Sequence, residues 1–201
     1  MGGGIALLYL SVFAACAIFD LIPLYPSIGF FLLISLASAA LAIRHESTAL
    51  AVMGILGAFS SPFILGDFTA EARGTAQVGE RIQLLAYVIV VDLGVVALST
   101  FRNWRWVTIL ALLASLASFG VWYGEFGNEV SLLTSQGGLT LIFLIFVGTT
   151  TLYHIIWRRA PRALDQILMI INAGAYFGMS YGLMWEELRV WLGGFSILLA
   201  L

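Results

Sequence analysis

The sequence predicts an all-α protein, a polytopic bundle of transmembrane helices, and three observations support this prediction. Of the 201 residues, 61% are hydrophobic and only 10% are charged, whereas soluble domains carry about 25% charged residues. Mean hydropathy is correspondingly high, at +1.03. The apolar residues form long runs, and the charged residues are almost confined to the short segments between them.

The length of the runs divides the chain into seven full spans and an incomplete eighth. A hydrocarbon core of about 30 Å requires about 20 residues of helix, because helical backbone groups are satisfied within their own segment. The predicted spans are, in order, 4–20, 27–43, 48–66, 82–101, 106–124, 137–157 and 165–184. The eighth begins near residue 190, and its roughly 18 Å of helix would be too short to cross. We therefore expect residues 1–201 to form a single transmembrane domain that is a fragment of a longer multi-pass chain.

Each span is bounded by charged or aromatic residues. The separating segments, in chain order, are Asp20, 44–46, 67–81, 102–105, 125–129, 158–165 and 186–189. All six tryptophans lie within a few residues of a predicted end: Trp104, Trp106, Trp122, Trp157, Trp185 and Trp191. This position suits an indole ring, which places its apolar body in lipid and its N–H toward water.

The nine basic residues, all arginines, predict the orientation. The even-numbered connections hold six of them and the odd-numbered connections hold three. Basic residues are retained on the cytoplasmic side during insertion, so we expect the N-terminus and the even-numbered loops to face the cytoplasm. Three arginines cluster at residues 158, 159 and 162 (Arg158, Arg159 and Arg162), where they could also bind anionic lipid headgroups.

The sequence shows no recognisable catalytic or cofactor-binding motif. One cysteine, Cys16, and two distant histidines, His45 and His154, provide no metal-ligand spacing. There is no nucleophile elbow and no phosphate-binding loop. We expect no metal, no cofactor and no catalytic residue, and the scattered arginines argue against nucleic acid as a partner.

One carboxylic acid, Asp92, lies within an apolar run, in the middle of the fourth span. On an insertion scale it costs about 2.5–3.5 kcal/mol, which the twelve large apolar residues of the span offset by about 4–7 kcal/mol. Its helical neighbours cannot donate a hydrogen bond, so we expect a donor from another helix: Asn172, Ser60, Ser61 or the threonines 149–151. We expect the buried acid to carry its proton at neutral pH, because desolvation disfavours the charged form. It could tie helices together or serve as a proton or cation site.

A second disturbance is Pro62, which lies inside the third span after Ser60 and Ser61. Proline removes a backbone donor and presses on the carbonyl four residues earlier, so a kink or break is expected there. The two serines could satisfy the freed backbone groups. The kink could serve packing alone, or it could mark a discontinuous helix that lines a substrate path.

Glycines recur every four residues in the seventh span, at Gly174, Gly178 and Gly182. Such a stripe allows helices to approach closely, and Gly120 and Gly124 repeat the spacing in the fifth span. We interpret both as packing seams, within the bundle or between copies in a homo-oligomer.

Three blocks resemble a bacterial family of predicted membrane proteins, domain-of-unknown-function family 2339. They are "GGGIALLYLSVFAA" (2–15), "LGAFSSPFIL" (56–65) and "YVIVVDLGVVALS" (87–99), the last followed by "RNWRW". The resemblance covers about the first 106 residues and implies an internal segment of a long multi-helix chain in the bacterial cytoplasmic (inner) membrane. It implies no activity.

Three hypotheses of function follow. The first is a transport-like or structural membrane module in which Asp92, Asn172 and the Pro62 region converge in the bundle. The alternatives are an enzyme that acts on lipid-linked substrates through loop acids such as Glu71, Glu80, Glu125 or Glu129, and a membrane assembly scaffold.

Overall fold

The computed structural model describes residues 2–19, 21–68, 78–101, 104–127, 130–157 and 163–185. Within these ranges the regular secondary structure is helical. The helices are α1 (Gly2–Phe13), α2 (Leu24–Arg44), α3 (Thr48–Phe68), α4 (Val78–Phe101), α5 (Arg105–Phe126), α6 (Leu132–Trp157) and α7 (Ala163–Met184). A single π-helical turn, Ala14–Ile18, extends α1. The prediction of an all-α fold with helices in these places is confirmed.

Five of the helices are long and apolar enough to cross a membrane. The qualifying stretches are Pro26–Arg44, Ile82–Ser99, Trp106–Phe126, Leu132–Thr149 and Ala163–Met184. The apolar stretches Gly2–Cys16 and Thr48–Ser60 are shorter within the described residues. The predicted eighth span lies outside those residues.

The bundle differs from a soluble protein in that its outer surface is apolar, while several polar side chains lie within its largely apolar core. Leucines on the outer faces of α1, α2 and α6, such as Leu8, Leu33 and Leu144, are more than half exposed. In the interior, by contrast, Asp92, Ser115 and Asn172 are almost completely buried. A surface of this kind is stable in lipid and costly in water.

Helices α4 and α5 lie at the centre of the bundle. α4 packs against α2, α3, α5 and α6, and α5 packs against α3, α4, α6 and α7. α1 packs on α2 and α3 on one flank, and α7 packs mainly on α6 on the other. Any polar side chain on the inner faces of α4 and α5 is therefore surrounded by protein.

Interhelical hydrogen bonds and glycines hold α3 close to its neighbours, and two tyrosines and Gly57 illustrate this. The Tyr9 hydroxyl donates to the Gly54 carbonyl at 3.2 Å, and the Tyr87 hydroxyl donates to the Ala58 carbonyl at 2.9 Å. A Cβ atom at Gly57 would collide with the Tyr9 ring. Small residues here allow the backbones of α1 and α3 to approach, as is common in membrane bundles.

Helix α3 is continuous from Thr48 to Phe68 and so passes through Pro62 without a break. Of the two alternatives for this proline, the discontinuous helix is therefore wrong, and a kink that serves packing stays a prediction. The side chains of Ser61 and Pro62 lie outside the described residues, and Ser60 is exposed. A proline can be accommodated in a transmembrane helix where local adjustments satisfy the freed carbonyl.

Candidate intramembrane polar site

Asp92 lies on the buried face of α4. Leu85, Val88, Val95 and Leu98 share this face, and each is at most 5% exposed. The Asp92 side chain itself is completely buried. Since α4 contacts four other helices, the carboxyl group faces protein rather than lipid, as the sequence predicts for an acid at this depth.

The hydrogen-bond donor to this carboxyl is Ser115 of α5, whose Oγ donates to Asp92 Oδ2 at 2.6 Å. This donor was not among the predicted ones, and the side chains of two predicted donors, Ser61 and Thr150, lie outside the described residues. Asn172 instead donates from Nδ2 to the Phe143 carbonyl at 3.0 Å. Thr149 donates to the Phe146 carbonyl within its own helix at 2.7 Å.

Ser115 could have been predicted from the length of the connection between α4 and α5. Only three residues, 102–104, separate α4 from α5, so the two helices form an antiparallel hairpin. Asp92 and Ser115 are 23 residues apart, which places them at equal distances from the middle of that connection. Our sequence interpretation considered more distant helices and overlooked the nearest one.

The second carboxyl oxygen, Oδ1 of Asp92, is buried and has no hydrogen-bond partner among the described residues. Most buried polar atoms in folded proteins have at least one partner. A carboxyl group can accept up to four hydrogen bonds when ionised, or donate one when protonated. One oxygen of this group therefore remains able to bind a proton, a water molecule or a small cation.

A second polar cluster lies between α6 and α7, and we refer to it as the α6–α7 ladder. Its five members are Gln136, Thr140, Asn172, Tyr176 and Ser180. Gln136 Nε2 lies 2.9 Å from Ser180 Oγ and 3.3 Å from the Tyr176 hydroxyl. The Tyr176 hydroxyl also shares a hydrogen bond of 2.9 Å with Thr140 Oγ1.

Sequence reasoning identified only Asn172 of this ladder. The signal was nevertheless present, because the α7 members recur every four residues and the α6 members Gln136 and Thr140 are four residues apart. Residues with this spacing lie on one face of a helix. Their shared face became apparent only when α6 and α7 were seen to pack together.

The inner end of the ladder lies at about the depth of Asp92. Short connections reverse the chain between α4 and α5 and again between α5 and α6, so α4 and α6 run in the same direction. Leu85 of α4 lies directly against Gly138 of α6. Asp92 lies seven residues beyond this contact on α4, and the equivalent position on α6 is residue 145. Phe143, whose carbonyl accepts from Asn172, is two residues away from that position. At 1.5 Å per residue the two sites differ in depth by about 3 Å.

The predicted glycine seams face away from the bundle. Gly174, Gly178 and Gly182 are exposed, and a Cβ atom at any of them would meet no atom within 4 Å among the described residues. The same holds for Gly120 and Gly124. These stripes therefore do not form seams within the described bundle, and a seam between copies remains a prediction.

The other predicted residues contribute less to the site. The arginine cluster at 158–162 lies outside the described residues. Of the four loop acids considered for an enzyme, only Glu125 has a described side chain, and that side chain is exposed. Among the described residues there is no group of three or more side chains that could hold a metal ion.

A concave surface between α2, α3 and α4 is almost wholly apolar. Its volume is about 300 Å³, and small residues such as Ala39, Gly54 and Gly94 line it beside the side chain of Ser35. Ligand sites usually combine an apolar lining with a few convergent polar groups. This surface presents one such group, so the candidate site is the buried polar region around Asp92 rather than the groove.

Residues 1–200 match a family model described as Predicted membrane protein (DUF2339). The match extends the resemblance seen in the first 106 residues to nearly the whole chain. Comparisons with curated proteins and with solved structures gave no match.

Proposed function

The chain belongs to the DUF2339 family of predicted membrane proteins, and we propose that it is a transport-like membrane module in which Asp92 binds and releases a proton or a small cation. In this proposal all seven helices cross a bacterial inner membrane. The N-terminus and the even-numbered connections face the cytoplasm.

The observation that supports the proposal is that Oδ1 of this completely buried carboxyl group has no hydrogen-bond partner in the described part of the chain. Acids within transmembrane segments are rare and often belong to proton relays or ion pathways. A role limited to joining helices would be served better by a group whose hydrogen-bonding capacity is fully used, because an unsatisfied buried polar atom costs about 1–3 kcal/mol. An oxygen left free favours a site that exchanges its occupant.

The second candidate is a structural tie between α4 and α5. It is favoured by the 2.6 Å hydrogen bond from Ser115 to Asp92, which joins the two central helices. The two candidates differ in what they require of Asp92, since a tie needs only an acceptor and transport needs a group that can change its protonation or bind a cation.

The substitution Asp92→Asn separates them. The asparagine oxygen can still accept from Ser115, so the tie is kept, but the side chain no longer titrates. We expect wild-type protein in proteoliposomes to conduct protons or Na⁺ under an imposed membrane potential, and we expect Asp92→Asn to reduce this flux at least tenfold. Pyranine fluorescence would report protons, and ²²Na⁺ uptake would report the cation.

The matched control is Ser118→Ala, which removes a buried hydroxyl from the same central helix as Ser115. Among the residues that the structure describes, Ser118 donates to the Ala114 carbonyl within its own helix, so this variant should keep the wild-type flux. Equal flux in wild-type and Asp92→Asn proteoliposomes would contradict the transport proposal and leave the structural tie. The same conclusion would follow if wild-type protein gave no flux above empty liposomes.

A further inference from the structure

We propose that the α6–α7 ladder lines a hydrated path, which admits water from the side of the bundle where α6 begins as far as the depth of Asp92. This inference deepens the proposed function and rests on it for the destination of the path. The hydration of the ladder can nevertheless be tested without it.

The first support is the continuity of the ladder along the helix axis. Its polar groups follow one another from Gln136 and Ser180, through Thr140 and Tyr176, to Asn172 and the Phe143 carbonyl. From residue 136 to residue 143 of α6 the distance is about 10 Å. Gln136 is in the second turn of a helix that begins at Leu132, so the ladder reaches from near the helix end to the middle of the bundle.

The second support is that the ladder contains unused hydrogen-bonding capacity at both ends. Gln136 Oε1 and Asn172 Oδ1 are buried, and neither has a hydrogen-bond partner among the described residues. The hydroxyl of Ser135, next to Gln136, is also buried and has no hydrogen-bond partner among these residues. Buried water molecules typically bind to such groups and make about three hydrogen bonds each.

The number of polar residues also exceeds what packing requires. Hydrogen bonds between transmembrane helices contribute little stability on average, and large apolar side chains hold the same region together. Leu139, Ile142 and Leu168 are each at most 2% exposed on these two helices. Four polar contacts between the two helices, beside such residues, favour a path for water over a role limited to holding the helices together.

Tyr176 occupies the middle of the path. Its ring stacks on Phe143 with centroids 4.5 Å apart, and its hydroxyl bonds to Thr140. The phenol therefore separates the outer pair, Gln136 and Ser180, from the inner Asn172. Water that reaches Asn172 would pass this ring.

The test uses hydroxyl-radical footprinting of the unmodified protein in nanodiscs, because radicals generated from bound water label the side chains beside it. Tyr176 and Tyr87 form a matched pair: they are 6% and 5% exposed, and the hydroxyl of each is hydrogen-bonded. We expect Tyr176 to be oxidised several-fold faster than Tyr87, which lies away from the ladder. Equal rates would overturn the inference.

A second measurement gives the side from which water enters. In a Cys16→Ser background, Ser180→Cys and Ser118→Cys place thiols at two almost completely buried serines, of which only Ser180 belongs to the ladder. The thiolate, which forms in water and not in an apolar interior, attacks the methanethiosulfonate sulfur and displaces methanesulfinate to form a mixed disulfide. A charged methanethiosulfonate should modify Ser180→Cys from one face of sealed vesicles only, at least tenfold faster than Ser118→Cys.

Slow and similar modification of both cysteines would overturn the hydrated path. Equal oxidation of the two tyrosines would overturn it independently, because that measurement uses the unmodified protein and does not depend on the folding of either cysteine variant. The outcome is independent of the flux experiment. A hydrated ladder with unchanged flux in Asp92→Asn would retain the path and reject the proposed function, whereas a dry ladder with flux lost in Asp92→Asn would do the reverse.

Discussion

At the scale of single residues, the proposed function depends on the hydrogen-bonded pair of Asp92 and Ser115. The carboxyl group is held by one donor and surrounded by valines and leucines of α4 and by the neighbouring helices. Its energy therefore depends strongly on a single hydroxyl group. Removal of that hydroxyl would leave both carboxyl oxygens buried without a described partner.

We accordingly expect Ser115→Ala to lower the free energy of unfolding by about 1–2 kcal/mol, which lies at the upper end for hydrogen bonds between transmembrane helices. Reversible unfolding in mixed micelles would measure the change. Ser118→Ala, in the same helix, should lower the free energy by less than about 0.5 kcal/mol, because the Ala114 carbonyl keeps its helical partner. A similar loss in both variants would argue against a special role for the pair.

The acid was predicted from the sequence and its partner was missed, for a physical reason. A carboxyl group among apolar residues is costly to place in a membrane, and it can be recognised from the sequence of one helix alone. The partner depends on which helices pack together, and a hydropathy pattern carries no such information. The hairpin between α4 and α5 was the exception, since its short connection restricts both depth and neighbour.

The helices themselves agree closely with the sequence prediction. α5 begins at Arg105 and α7 ends at Met184, within one residue of the predicted 106 and 184. Backbone groups in lipid must be hydrogen-bonded within their own helix, so the ends of each apolar run predict the ends of a helix. The packed faces were harder to predict, because most residues on every face are apolar, and the glycine stripe of α7 faces outward.

Glycines on these helices should consequently respond to substitution in opposite ways. Gly57→Ala places a methyl group against the Tyr9 ring, and we expect a loss of about 1–3 kcal/mol from overpacking between α1 and α3. Thermal unfolding of detergent-purified variants would show the difference as a lowered midpoint.

The control for that substitution is Gly120→Ala on the open face of α5, where no described atom lies within 4 Å of the added carbon. Here the methyl group should be neutral or stabilise the helix by up to about 1 kcal/mol, because alanine has the higher helix propensity. If Gly57→Ala were as stable as Gly120→Ala, the close approach of α1 and α3 would be refuted.

For the glycine stripe of α7, we expect Gly178→Leu to leave the stability of the isolated chain unchanged within about 0.5 kcal/mol, since the position is exposed and open. Unfolding at high detergent-to-protein ratio would test this, because dilution in micelles suppresses association. A large loss there would mean that an undescribed part of the same chain covers the stripe.

The bundle, as far as the structure describes it, combines an apolar exterior with a largely apolar core that contains buried polar clusters near its middle. The Asp92–Ser115 pair and the inner end of the α6–α7 ladder lie at nearly the same depth, on helices that pack side by side. Neither cluster would be tolerated on a lipid-facing surface, because unsatisfied polar groups are costly in hydrocarbon. Their common depth is what links the transport proposal to the hydrated path.

The orientation of the bundle decides which side of the membrane supplies that path, and the arginine distribution predicts it. The connection between α2 and α3 is even-numbered and should face the cytoplasm, whereas the connection between α5 and α6 is odd-numbered and should face outward. Because α6 begins at the latter, water should enter the ladder from outside. His45→Cys and Ser131→Cys place exposed thiols in these two connections.

In a Cys16→Ser background, an impermeant maleimide added to intact spheroplasts should label Ser131→Cys at once and His45→Cys only after lysis. The reversed pattern would invert the topology, and the charged reagent should then reach Ser180→Cys only from the cytoplasmic face. If the reagent reached Ser180→Cys from the face opposite to the one that labels Ser131→Cys, the result would be inconsistent with the proposed path in either orientation of the bundle. In that case water would be entering from the far end of α6, and the ladder could not be the route.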